Sequence, residues 1–194
     1  MFTYKDLIED KIDCVKDLWE KNRLFHKENS NGFSTDYDGL SFKERMKVLF
    51  NKSTKRKITI VENEENQIIA YCMSIITEAK LGEIATLYVE ENCRRAGIGK
   101  KLLQLHIKWF EENDINNVRV EVLHNNFSAI SLYESVGLRK DTMKMRILID
   151  ELATVNLKWI TYTETVNHKG LLFFSYSIFI IKGGADILLD SLSG

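Results

Sequence analysis

Residues 93–102, CRRAGIGKKL, place two glycines around a single isoleucine, with arginines before them and lysines after. These residue types at this spacing suit an anion. Glycine permits positive φ and close approach of the backbone, and a helix starting just beyond the turn aims free N–H groups and the positive end of its dipole at a phosphate. Three phosphate-binding patterns compete. A P-loop needs four residues between its glycines and a Lys followed by Ser or Thr. Here only Ile98 separates Gly97 from Gly99, and Lys100 is followed by Lys101. A dinucleotide fingerprint needs a third glycine where Leu102 stands, and an early βαβ unit around it. The pattern Arg/Gln-x-x-Gly-x-Gly/Ala, in contrast, is matched in full by residues 94–99.

Such a loop works only if a strand delivers it and a helix receives it. EIATLYVEE, ending just before the loop, has the composition of a buried strand, and residues 97–112 continue as an amphipathic helix. Ile98, Leu102, Leu105 and Trp109 form its apolar stripe, widened by Leu103 and Phe110, with Lys100, Lys101, Gln104 and Lys108 opposite. Upstream, residues 6–27 carry helical periodicity, and SFKERMKVLF reads as a second helix with Ser41 as N-cap and Glu44 three residues on. KITIVEN and QIIAYCMSIIT form a hairpin. Downstream come a strand over residues 118–123, a short helix in NNFSAISLYESVG with Asn at its start and Gly137 at its end, and a strand in MKMRILI. The order predicts a mixed α/β domain.

That short helix carries a second pattern. Residues 126–138 match Asn-x-x-Ala-x-x-x-Tyr-x-x-x-Gly-Phe through Asn126, Ala129, Tyr133 and Gly137, with Leu138 in place of the final Phe. With both motifs in this order, the chain resembles the GNAT superfamily of acyl-CoA-dependent N-acetyltransferases, over residues 57–148. The resemblance implies an α/β (α+β) fold with a mixed, mostly antiparallel central sheet, a splayed central strand pair and flanking helices. It implies acetyl-CoA as cosubstrate, a primary amine as acceptor and no metal. The backbone of Arg95, Ala96, Gly97, Ile98, Gly99 and Lys100 would cradle the pyrophosphate, with Arg94 or Arg95 adding charge. The pantetheine arm would lie along Leu87, Tyr88 and Val89 as an added strand. Asn126, Ser128 and Ala129 would border it, and Tyr133 would sit near the thioester sulfur.

Direct transfer then needs a neutral amine. At pH 7 that costs about 1.4 kcal/mol for an α-amino group and roughly 4.6 kcal/mol for a lysine. Glu121 is the favoured base, with Glu83 competing. A backbone N–H near Val89 would stabilise the oxyanion, and Tyr133 would protonate the departing thiolate. Each residue also has a plainer role open to it: the glycines as a tight turn, Tyr133 as a half-buried aromatic, Glu121 as a solvated carboxylate. Trp19, Phe25, Phe33 and Tyr37 would line the acceptor side or fill the core. An acyl-CoA-binding module without turnover is the alternative function, and the acceptor itself is not legible.

Composition narrows the rest. With 27 basic and 28 acidic side chains, the net charge near −1 gives no reason to expect nucleic acid or an anionic membrane as partner. Cys14, Cys72 and Cys93 are widely spaced, which suits reduced thiols in a cytoplasm, and the four histidines show no ligand spacing. The longest apolar run, LLFFSYSIFII, is too short to span a bilayer as a helix. Residues 1–148 are therefore expected to form the acetyltransferase domain. Residues 149–194 form an extension that could add strands or exchange with a second subunit to make a homodimer.

Overall fold

A computed structural model describes residues 1–146 and the backbone of two short strands, Thr165–Val166 and Leu172–Phe173. The chain divides into two units, Met1–Thr142 and Met143–Gly194.

The first unit is built on a five-stranded sheet in chain order, β1 (Thr3–Asp6), β2 (Ser53–Glu62), β3 (Ile68–Thr77), β4 (Gly82–Val89) and β5 (Val118–Arg119). The first four strands pair antiparallel and β4 pairs parallel with β5, giving the mixed sheet the motifs imply. The predicted hairpin is β2–β3. Asn63 shapes its turn by accepting from the N–H groups of Glu65 (3.1 Å) and Gln67 (2.8 Å). The helices are α1 (Lys16–Glu28), α2 (Phe42–Asn51), α3 (Ile98–Glu112) and α4 (Phe127–Glu134). Ser41 caps α2 as expected: its hydroxyl accepts from the Glu44 N–H at 3.2 Å and donates to the Glu44 carboxylate at 2.9 Å.

Two apolar layers cover the sheet. On one face Trp19, Phe42, Met46 and Leu49 pack with Ile58, Ile60, Tyr71 and Met73. On the other, Ile98, Leu102, Leu103 and Phe110 of α3 pack with Cys72, Ile76 and Ile84. Of the stripe read from α3, Ile98, Leu102, Leu103 and Phe110 are buried, while Leu105 and Trp109 are half-buried. Gly82 allows this close packing, since a Cβ there would lie 2.8 Å from the Phe110 ring.

Three elements differ from their periodicity. The expected helix over residues 6–27 begins as a 3-10 turn, Glu9–Val15, and becomes α only at Lys16. The preceding TYKD, too short and polar to show a pattern, is edge strand β1. Among the described residues, residues 118–123 form a ladder only at Val118 and Arg119, where β5 pairs with Gly82 and Glu83 of β4. Of the predicted strand MKMRILI, residues 143–146 form no strand among the described residues, with Met143 and Met145 exposed, and residues 147–149 lie outside the described residues. In the second unit the short strands pair antiparallel, Thr165 opposite Phe173. The rest of LLFFSYSIFII lies outside the described residues.

Candidate active site

The site begins where β4 and β5 part. Their pairing stops at Glu83 opposite Arg119, so among the described residues no strand lies beside one edge of β4 from Ile84 to Val89. Register determines which backbone groups face that gap. The Glu90 N–H donates to the Ile69 carbonyl at 2.9 Å, and Val89 lies opposite Ala70. Alternation of antiparallel ladders therefore turns the peptide groups of Leu87 and Val89 away from β3 and into the gap. A bulge places Ala85 opposite no residue of β3, just where the strands separate.

β4 runs through a 3-10 turn, Glu91–Cys93, into the glycine-rich loop. There Arg95 (φ 67°) and Gly97 (φ 79°) both lie in the left-handed region. The first backbone bond of α3 is donated by the Lys101 N–H to the Gly97 carbonyl at 3.0 Å. Among the described residues, none of the six N–H groups of residues 95–100 donates to a backbone or side-chain acceptor. By contrast, α2 and α4 are capped by Ser41 and Asn126. The first turn of α3 carries Lys100 and Lys101 and no acid, the adverse choice for a bare helix N-terminus. Consecutive free N–H groups in such a turn form an anion-binding nest, and an anion in it relieves that unfavourable charge.

Helix α4 stands beside the nest. A Cβ on Gly99 would lie 3.0 Å from the tip of the Leu132 side chain, a tight contact that Leu132 would have to yield to. Tyr133, one residue further, is half-buried against the core layer holding Cys72. Burial first, and the Cys72 thiol second, push its phenol well above the usual tyrosine range, so it is protonated at neutral pH. Its hydroxyl has no hydrogen-bond partner among the described residues and reaches accessible space, since no buried side-chain N or O there lacks a partner. Asn126 accepts from the Ala129 N–H at 3.1 Å, which commits its carbonyl oxygen to the cap and leaves its amide group as the free end. Ser128 is exposed on the first turn.

The two candidate bases differ sharply in their surroundings. Glu83 is buried at the fork of β4 and β5, with Lys52 at 2.8 Å and Arg119 at 3.1 Å. Burial pushes its carboxyl upward, but the hydrogen bonds and charges of Lys52 and Arg119 outweigh it, and the net shift is downward. A carboxylate held ionised by two cations is a poor proton acceptor. Glu121, two residues beyond Arg119, is exposed and has no partner among the described residues.

Arg94 turns back along the chain. Its Nε donates to the Val89 carbonyl at 3.0 Å, Nη1 lies 3.4 Å from Glu91, and the guanidinium sits 5.7 Å from the Tyr88 ring centre. Lys101 lies over the Tyr4 ring at 4.2 Å. A shallow groove of about 660 Å³ flanks the loop on the α1 side, between Lys21, Ile69, Tyr88 and Cys93. Of the aromatics considered for the acceptor side, Trp19 is core, packed edge-on against Phe42 at 5.6 Å, while Tyr37 stacks on His26 at 5.9 Å.

Sequence reasoning missed three polar clusters. The Lys52–Glu83–Arg119 group joins segments with no shared motif. Asn125 donates to the Asn29 carbonyl at 3.0 Å, linking α1 to the start of α4. His106, one of four scattered histidines, is fully buried between Ser74 (2.8 Å) and Thr59 (3.1 Å). Only its position on the apolar side of α3, at i+4 from Leu102, hinted at burial. Among the described residues no group of His, Cys, Asp and Glu could hold a metal ion, and no helix is long and apolar enough to cross a membrane. Cys14, Cys72 and Cys93 are free thiols.

A half-open mixed sheet with an anion nest at the end of its forked strand is the architecture of the GNAT fold. The chain belongs to the Acetyltransferase (GNAT) family, whose sequence profile matches residues 18–138. Its relatives include N-alpha-acetyltransferase 30 of Xenopus laevis, 35% identical over 80 residues, which are 41% of this chain and 29% of that protein. They also include the [ribosomal protein bS18]-alanine N-acetyltransferase of Salmonella typhimurium, 28% identical over 100 residues, 50% of this chain and 66% of that protein. The matched stretches thus span less than two thirds of these curated relatives. The BH1408 protein of Bacillus halodurans, as a tetramutant, has the same fold, with a TM-score of 0.60 at 20% identity over 75% of this chain and 99% of that one.

Proposed function

We propose that this chain transfers the acetyl group of acetyl-CoA to the α-amino group of a protein or peptide N-terminus, by direct attack within a ternary complex. The observation carrying the reading is a row of six N–H groups that have no acceptor among the described residues, beside a strand edge that no described strand covers. An elongated ligand with a pyrophosphate at one end and an amide-containing arm at the other, as coenzyme A has, satisfies both. The pyrophosphate would occupy the nest of residues 95–100, and the pantetheine arm would pair with the Leu87 peptide group, bordered by the Asn126 amide, Ser128 and Ala129. The Val89 carbonyl is taken by Arg94, which leaves the Val89 N–H. The Val89 N–H would then face the thioester oxygen as it gains charge. The phenol of Tyr133, protonated and without a partner among the described residues, would donate to the departing thiolate. The two curated relatives named above, one an N-alpha-acetyltransferase and the other an alanine N-acetyltransferase of a ribosomal protein by name, support the α-amino group as acceptor. Reduced thiols fit a cytoplasmic setting.

Deprotonating an α-amino group at pH 7 costs about 1.4 kcal/mol, a demand that one exposed carboxylate or a water relay meets. Glu121, unencumbered among the described residues, suits that task better than Glu83. Replacement by Gln should lower kcat about tenfold at pH 7 and less at pH 9, where more of the amine is already neutral. A pH-independent loss of the same size would reassign Glu121 to acceptor binding. Gly97→Ala meets no atom within 4 Å yet must hold φ near 79°. It should therefore weaken coenzyme A binding roughly tenfold, the equivalent of the 1–2 kcal/mol a left-handed alanine costs.

The acceptor is tested with two peptides and mass spectrometry, one with a free N-terminus and no lysine, the other N-terminally blocked with one lysine. Acetylation of the first alone is expected. Preferential modification of the lysine peptide would overturn the α-amino assignment. Binding of acetyl-CoA with no product from either peptide, or from small amines, would favour the non-catalytic module.

A further inference from the structure

We infer that Arg94 is a positioning residue for acyl-CoA: its guanidinium ties the nest to the end of β4, and main-chain N–H groups, rather than this cation, grip the pyrophosphate. The inference rests on the acyl-CoA reading of the cleft. Three contacts hold the guanidinium on the strand side. Nε donates to the Val89 carbonyl at 3.0 Å, Nη1 lies 3.4 Å from the Glu91 carboxylate, and the Tyr88 ring lies beneath at 5.7 Å. The Val89 carbonyl is one of the groups that register turns into the gap, so Arg94 closes the last acceptor of the open edge beside the nest.

The consequence is geometric. The Arg94–Val89 bond closes a short ring around the turn Glu91–Cys93, which is itself held by the Cys93 N–H on the Glu90 carbonyl (2.9 Å) and the Arg94 N–H on the Glu91 carbonyl (3.2 Å). The very next residue, Arg95, must hold φ 67°, a conformation a non-glycine residue keeps only where its surroundings impose it. Arg94 supplies a fixed anchor one residue before that strained position and three before Gly97. The side chains of Arg95 and Lys100 make no contact of this kind among the described residues and remain the cations available to phosphate.

Calorimetric titration of the full chain with coenzyme A, at low and high salt, separates positioning from charge. Arg94→Gln removes the charge but keeps a planar N–H donor for the Val89 carbonyl, whereas Arg94→Lys keeps the charge and loses the planar donor. Positioning predicts Arg94→Gln within about threefold of wild type with an unchanged salt dependence, and Arg94→Lys and Arg94→Ala each about tenfold weaker. A direct phosphate contact predicts the reverse order, Lys close to wild type and Gln as weak as Ala with a shallower salt dependence, and would overturn the inference. Equal binding by all four proteins would overturn it as well. If wild type itself fails to bind coenzyme A, the acyl-CoA reading falls and the inference with it. A binding wild type with the reversed order sinks the Arg94 assignment alone.

Discussion

Tyr133→Phe should lower kcat at least about 100-fold while leaving the Kd for acetyl-CoA within a factor of two. The substitution keeps the ring that packs beside Cys72 and removes one hydroxyl, which has no hydrogen-bond partner among the described residues. The fold therefore loses little, and the loss falls on the step in which the thiolate departs. Proton donation by a positioned group typically contributes 10² to 10⁴ in rate. Steady-state kinetics with titration calorimetry tests both halves. An unchanged kcat would move protonation of the leaving thiolate to solvent, and a large loss of acetyl-CoA affinity would make Tyr133 a binding residue.

The second large effect concerns stability. His106 Nε2 lies 3.1 Å from the Thr59 oxygen, whose own proton goes to Asp6 at 2.6 Å. Nε2 must then carry the imidazole proton, and Nδ1 accepts from Ser74 at 2.8 Å. Burial first, and the Lys57 charge second, push the imidazole down to about 3 against the pull of Asp6. In the unfolded chain His106 titrates near 6.5. Below that pH the unfolded state binds a proton the native state refuses. The stabilisation is therefore complete above pH 6.5 and lost as pH falls toward 3, at about 1.4 kcal/mol per pH unit.

Urea unfolding should accordingly show about 2 kcal/mol less stability at pH 4.5 than at pH 6. His106→Gln should be less stable at pH 7, because Ser74 or Thr59 loses its partner, yet nearly flat over that interval. An identical slope in the variant would assign the acid sensitivity to other groups, Asp6 foremost, whose carboxyl Lys57 and Thr59 hold low despite its burial.

What could be read from sequence tracks how local its physical cause is. The β2–β3 hairpin and the Ser41 cap each follow from a few neighbouring residues and stand where the pattern puts them, whereas the stripe of α3 is buried at Ile98, Leu102, Leu103 and Phe110 and only half-buried at Leu105 and Trp109. The open edge of β4 was expected through two motifs rather than periodicity, because an unpaired edge has the same alternation as a paired one. Strand β5 shows the converse: VRVEVL alternates as a strand should, but pairing needs a neighbour, and among the described residues its ladder ends at Arg119. Long-range polar clusters left no trace. Nothing near Glu83 announces Lys52, thirty-one residues earlier, or Arg119, thirty-six later. Arg94 is the instructive case. Residue type and place suggest a phosphate-binding charge, whereas in the fold its guanidinium is turned onto the Val89 carbonyl.

The central claim is that the free N–H groups of residues 95–100 and the open edge of β4 receive acetyl-CoA. Amide chemical-shift mapping by NMR during titration with acetyl-CoA tests it most directly. The largest shifts should fall on the amides of residues 95–100, with Leu87 and Val89 next, and Ile58 and Ile60 on the far strand unmoved. Shifts confined to the groove around Lys21 and Ile69, or no saturable shifts at all, would contradict it.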